Sequence, residues 1–162
     1  MQRFSATAIT LAITAAALSA CSGMPSSKAE TTAKFSQDAL PEAVKVPAGN
    51  QVVLETVGVG EITYECRVKA GAAGAFEWAF VGPQADLNSR AGTKLGTYYG
   101  PPATWAAADG SKITGTQVAV SPSAPGNIPM QLVKANAASG PGAMMGITYV
   151  QRVATKSGVA PS

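Results

Sequence analysis

The chain has 162 residues, with two cysteines, nine carboxylates, four tyrosines, two tryptophans and no histidine. The missing histidine excludes Ser-His-Asp and Cys-His catalysis, because no imidazole is present to activate the nucleophile. It also removes the usual zinc and copper ligand sets. No Ser-x-x-Lys motif is present. No calcium loop of alternating acids occurs either. Met130 with Met144-Met145 offers soft sulfur for Cu(I), but methionine is more often core filler. No metal and no cofactor is therefore expected.

The chemistry that remains is carboxylate, thiol and aromatic. A glycosidase needs two carboxylates at a set separation across a cleft. Glu65 and Glu77 fall on neighbouring predicted strands, and Asp109 is a further candidate. The competing reading is exposed cross-strand pairing with Arg67 or Lys69, which stabilises little. Cys66 has no histidine to activate it, and Lys69 falls on the opposite face of a strand. It reads as a buried core cysteine or an unpaired half-cystine before it reads as a nucleophile. Tyr98, Tyr99 and Trp105 flank Gly100-Pro101-Pro102. Aromatic rings on a proline-stiffened loop suit stacking on a sugar or a Pro-rich peptide, and they equally suit covering the open end of a β-domain. These three are the sequence's best ligand-binding candidates.

Three features at the N-terminus make up a secretory signal over residues 1–20: Arg3, the apolar run Ala6–Leu18 and a small-residue site. Leu18-Ser19-Ala20-Cys21 fits the bacterial lipobox, so cleavage before Cys21 and acylation of its thiol by palmitate-class chains are expected. Each buried CH₂ contributes about 0.8 kcal/mol, so more than one chain gives a stable membrane anchor. Ser22, rather than Asp, points to the outer membrane facing the periplasm. Without Arg3 the mature chain has 11 basic and 9 acidic residues, a net +2. Such a small, scattered charge argues against nucleic acid.

Residues 21–45 read as the lipidated terminus and a flexible tether. They are rich in Ser, Thr, Ala, Lys and Glu, with at most a weak helix over Ala29–Leu40. From Val46 the pattern turns to period two. Gln51–Val59 carries β-branched residues on both faces and is predicted as a central strand. Gly58-Val59-Gly60 is too short for a nucleotide loop and is expected to ease a turn between strands. Glu61–Lys69 alternates cleanly, with Ile62, Tyr64, Cys66 and Val68 on the face predicted to be buried. Further strands are expected at Phe76–Phe80, Gly96–Tyr99, Lys112–Val120, Pro129–Ala135 and Gly146–Ala154, with a hairpin turn at Asp109-Gly110. Gly and Pro together number 28, and the turns are frequent. The fold class is all-β: one antiparallel β-sandwich or small barrel over 46–162.

Several runs also resemble a known family. They include Val46-Pro47-Ala48-Gly49-Asn50, Ile62-Thr63-Tyr64-Glu65-Cys66, Tyr98-Tyr99-Gly100-Pro101-Pro102-Ala103-Thr104-Trp105, Gln131-Leu132-Val133-Lys134 and Gly146-Ile147-Thr148-Tyr149-Val150-Gln151-Arg152. In this order they resemble the secreted bacterial and fungal family catalogued as domain of unknown function 3455. The resemblance implies a secreted all-β domain and brings no activity, cofactor or catalytic residue. Members of that family often continue past the position of Ser162 with a second cysteine and a last aromatic strand. The resemblance therefore implies that Cys66 lacks an intrachain partner here. The expected function is a non-catalytic module of the cell envelope, binding or structural, held by lipid on Cys21. Its partner would be peptidoglycan, a polysaccharide or another envelope protein. The alternative is a hydrolase of envelope carbohydrate using a carboxylate pair.

Overall fold

The computed structural model describes residues 34–162. Apart from a short 3-10 turn at Glu42–Val44, the regular structure is all strand. The strands are β1 (Val57–Val68), β2 (Phe76–Asn88), β3 (Lys94–Tyr99), β4 (Thr104–Ala107), β5 (Lys112–Ser121), β6 (Met130–Ala135) and β7 (Tyr149–Arg152). Each pairs antiparallel with its neighbour in sequence, giving one seven-stranded sheet in the order β1-β2-β3-β4-β5-β6-β7. The expected antiparallel all-β class is the class observed. β1 and β7 do not pair with each other, so the sheet is not closed into a barrel. No helix of the described residues is long and apolar enough to cross a membrane.

Short turns set this meander. Asp109-Gly110 turns β4 into β5, as its turn chemistry predicts, with Gly110 at φ +91°. β4 was not anticipated, because four residues between Pro102 and Asp109 give too short a pattern. Val81 is an extra residue in β2: Tyr64 faces Phe80, while the next residue back, Thr63, faces Gly82. This bulge resets the alternation, so Phe76, Trp78 and Phe80 share a face with Pro83, Ala85 and Leu87.

That face leads into the core. Ala85 opposes Tyr98, Tyr98 opposes Trp105, and Trp105 opposes Ile113, and directly opposed residues share a face. Leu87, Ile113, Leu132, Val133, Val44 and Met144 are the buried apolar residues. The C-terminal segment closes part of the gap between the ends of the meander. The Tyr64 hydroxyl donates to the Gly158 carbonyl (2.9 Å), and Ile128 N–H donates to the Ser157 carbonyl (2.9 Å). Thus β1 is stitched to the β5–β6 connection through residues that belong to neither.

Three expectations need correction. Residues 51–56 are not strand; Val52, Val53 and Leu54 are exposed, and β1 begins only at Val57, at the sheet edge. β-branched residues on two faces require a neighbour on each side to become a central strand, and here Glu55 instead pairs with Arg90. Gly58-Val59-Gly60 lies inside β1 and makes no turn. At Gly60 a Cβ would overlap the Gln84 carbonyl and Ala85, so the glycine permits close approach of β2. Finally, the tether does not extend to residue 45, because the compact unit begins at Phe35. Gln37 accepts from Val46 N–H (2.8 Å) and donates to the Val46 carbonyl (3.0 Å), much as a strand neighbour would. Gln151 donates to the Val44 carbonyl (2.6 Å), and Val44 is fully buried against β5 and β6. The earlier part of the tether, the signal and Cys21 lie outside the described residues.

This packing generates a stability prediction. Val44→Ala removes two buried methyl groups and should cost about 2 kcal/mol. Urea unfolding should show a lower midpoint at unchanged slope. A midpoint equal to the parent's would mean that this segment is no part of the folded unit.

Candidate functional site

The aromatic residues define the most distinctive surface. Tyr98 and Trp105 stack with ring centroids 4.8 Å apart, and Tyr64 meets Phe80 edge-on at 6.0 Å. The register adds Trp78, opposite Cys66, and Phe76, opposite Val68, on the same face. One row of rings therefore runs from the body of the sheet out along the β1–β2 hairpin. Its inner members are half-buried. Its outer members are not: Phe76 is 66% exposed, Trp78 44%, Phe80 56% and Val68 64%. The other face of the hairpin is polar, with Glu65, Arg67 and Glu77.

The sequence candidates divide across this geometry. Tyr98 on β3 and Trp105 on β4 stack on each other, and both are half-buried. Burial raises the Tyr98 pKa, opposed by the charge of Arg152. Tyr99 is the next residue on β3 and so points to the other face, partly exposed. Arg152 on β7 donates Nε and Nη2 to the Pro129 carbonyl (3.1 and 3.0 Å), and burial lowers its pKa. Cys66 is a free thiol, and it is exposed where core placement was expected. The alternation placed it on the correct face, but that face is uncovered at this distance along the hairpin. Val68 departs from expectation for the same reason. Sequence reasoning missed the outer rings Phe76, Trp78 and Phe80 as a surface. They read as a half-buried strand, and no local signal tells a covered face from an uncovered one.

The carboxylates do not form a hydrolytic pair. Glu65 is held by Arg67 on its own strand, at 2.6 Å. Glu77 lies opposite Arg67 in the register, on the same exposed strand face as Glu65. Asp86 pairs with Lys94 (2.6 Å). Asp109 accepts hydrogen bonds from Ser111 N–H (2.9 Å), Ser111 Oγ–H (2.6 Å) and Ala143 N–H (2.7 Å). The Ser111 hydroxyl is the largest cause holding its pKa below the usual carboxylate value. Asp109 thus ties the β4–β5 turn to the loop around Gly142. A carboxylate so satisfied is a poor proton donor.

Two other places bring polar or sulfur-bearing side chains together. An open groove of about 660 Å³ is lined by residues including Asn50, Lys134, Asn136, Met145 and Tyr149. Asn50 is engaged by Thr148 and the Pro47 carbonyl, and Asn136 by Thr114, so its amides are already committed. Met144 is buried while Met145 is exposed, so this adjacent pair does not present two sulfurs to one pocket. Among the described residues no three of His, Cys, Asp or Glu come close enough to share a metal.

The Asp109 contacts generate a pH prediction. Its folded pKa lies below the unfolded value, so its stabilisation is full above the unfolded pKa and is lost as pH falls through the folded one. Asp109→Asn should lower the thermal midpoint at pH 7. The gap to the parent should narrow below about pH 4. A constant gap from pH 7 to pH 3 would show that the carboxylate charge is not what holds the turn.

Comparison with known proteins adds one result. Residues 47–162 match the family model described as Protein of unknown function (DUF3455). No curated protein matches the chain. No solved structure matches it either. With nearly the whole β-domain covered by that match, the chain belongs to the DUF3455 family.

Proposed function

We propose that this protein is a non-catalytic binding or structural module of the cell envelope, held in the outer membrane by lipid on Cys21 and facing the periplasm. One observation carries the binding half of this reading. The β1–β2 hairpin projects Phe76, Trp78 and Phe80 into solvent on a face without charge. Soluble proteins seldom leave contiguous apolar surface of this kind uncovered unless something docks there. The hydrolase alternative draws no such support, since Glu65 is paired with Arg67 on an open strand face and Asp109 is committed to Ser111 and Ala143. The lipid half rests on the signal and lipobox at residues 1–21.

The chemistry of the face also selects among partners. A sugar site needs polar side chains beside its rings to bind hydroxyl groups. Opposite Phe80, beside the outer rings, the hydroxyl is that of Tyr64, and it already donates to the Gly158 carbonyl. An apolar protein surface is the better match.

The reading is tested by thermal unfolding of Ser22–Ser162 with envelope proteins, peptidoglycan fragments and polysaccharides. Ligand at 100 times its Kd adds about 2.7 kcal/mol and should raise the midpoint by several degrees. A protein partner is expected to do so for the parent chain and not for Trp78→Ala. Turnover of a glycan, lost in Glu65→Gln or Glu77→Gln, would overturn the reading in favour of the hydrolase. For the anchor, Cys21→Ala should move the chain out of the membrane fraction. Retention there would remove the lipid from the account.

A further inference from the structure

We infer that the inner face of the sheet binds the carboxylate group of a small ligand between the Arg152 guanidinium and the Tyr98 hydroxyl. This site is separate from the exposed outer rings of the hairpin and does not depend on them.

The register brings the two residues to one face. Tyr98 opposes Trp105, and Trp105 opposes Ile113. Along β5 the alternation carries that face from Ile113 to Gln117, ahead of the irregularity in this strand, and Gln117 opposes Val133. Two residues away on β6, Gln131 opposes Arg152. Arg152 therefore shares the face of Tyr98, although three strands separate β3 from β7. The ends of the meander then approach each other around Pro129 and Gly158. Arg152 donates to the Pro129 carbonyl, Ile128 N–H donates to the Ser157 carbonyl, and the Tyr64 hydroxyl donates to the Gly158 carbonyl. Gly158 also packs against the side chains of Ile62 and Ile128. A guanidinium from β7 and hydroxyls from β1 and β3 are thus gathered on one face.

What these groups lack is a counter-ion. The ion pairs of the described residues lie elsewhere, and none includes Arg152. Arg152 Nε and Nη2 converge on one neutral carbonyl, which leaves the Nη1 end of the fork without a partner among the described residues. The Tyr98 hydroxyl has none there either, and no such polar atom is sealed from solvent. Burial lowers the Arg152 pKa, and the groups that oppose it are the hydroxyls of Tyr98 and Tyr64, with no carboxylate among them. Burial also raises the Tyr98 pKa, which keeps its hydroxyl protonated as a donor. A partly buried guanidinium without an anion is costly to keep, and an anion that arrives there recovers part of that cost.

The open donors select the ligand chemistry. The end of a guanidinium fork matches the two oxygens of a carboxylate, and the phenol adds one more donor. One fixed positive charge balances one negative charge, so a carboxylate suits the site better than a phosphate dianion. The Tyr98–Trp105 stack stands beside the hydroxyl and offers an apolar wall for the ring or chain that carries the carboxylate.

The test titrates benzoate into the full chain in detergent, carrying Trp78→Phe so that Trp105 is the only tryptophan. Trp105 fluorescence should change saturably, with a dissociation constant of about 1 mM. Arg152→Gln should raise that constant at least about tenfold, and Tyr98→Phe, which keeps the ring stack, about threefold. Arg152→Lys keeps the charge without the fork and should fall between the parent and Arg152→Gln. Benzamide, of the same shape without the charge, should not bind. Thermal unfolding checks that each variant folds; should Arg152→Gln fail to, Tyr98→Phe and benzamide carry the test. The inference is overturned by no saturable response up to about 50 mM benzoate, by benzamide binding as tightly, or by an unchanged constant in folded Arg152→Gln. Inorganic phosphate binding more tightly than benzoate overturns the choice of carboxylate. An N-acetylated dipeptide acid that displaces benzoate, where its amide does not, supports the site and assigns the carboxylate to a peptide end.

Discussion

A sheet must bury at least one face, and in this protein the covering of that face stops where the β1–β2 hairpin leaves the body of the meander. Up to the Val81 bulge the inner face has company. Ile113 and Leu87 are buried, Trp105 and Tyr98 stack on each other, and the C-terminal segment crosses to Tyr64. Beyond the bulge the same face continues in register, with the same kind of residues and none of the described residues covering them. The exposed rings are thus core-type side chains extended past the core. The bulge matters because, without Val81, a plain alternation would send Phe76, Trp78 and Phe80 to the face opposite Leu87.

Charge follows the same division. Glu65, Arg67, Asp86 and Lys94 form exposed pairs away from the aromatic row, and such pairs stabilise by only a few tenths of a kcal/mol. Their effect is chiefly to keep one side of the hairpin wet. Arg152 is the charge nearest the inner tyrosines, and its guanidinium is partly satisfied by the Pro129 carbonyl. Asp109 works at the other end of the sheet, where it closes a turn. Of the acids that looked like candidate catalysts, Glu65 meets Arg67 and Asp109 meets Ser111 and Ala143 N–H, while Glu77 stands on an open strand face.

Much of this fold was legible in the sequence, but little of the site. Alternation through Glu61–Lys69 assigned both faces of β1 correctly, and Asp109-Gly110 announced its hairpin turn. Period-two patterning reports which residues share a face and cannot report what lies over them. That is why Cys66 and Val68 were expected inside. Residues 51–56 show the converse error, where a strand-like composition lacks a neighbour to pair with. The segment from Phe35 to Lys45 looked like tether because it is polar. Its docking depends on one glutamine imitating a strand and one buried valine, neither visible to composition. Tyr98 and Tyr99 were grouped as neighbours in sequence, although adjacent strand residues must diverge.

The hairpin's construction bears on how it would bind. Ordering a flexible segment at an interface costs roughly 0.5–1.5 kcal/mol per immobilised side chain. The β1–β2 ladder runs unbroken, apart from the bulge, from Asn88 opposite Val57 to Phe76 opposite Val68. Its aromatic side chains each have only two rotatable bonds, and Tyr64 with Phe80 is already locked edge-on. Most of the ordering is therefore complete before any partner arrives. A preorganised apolar face of modest area can then hold a partner that a loop with the same residues could not. This favours a surface built on paired strands over the Pro101-Pro102 loop, where the sequence first directed attention.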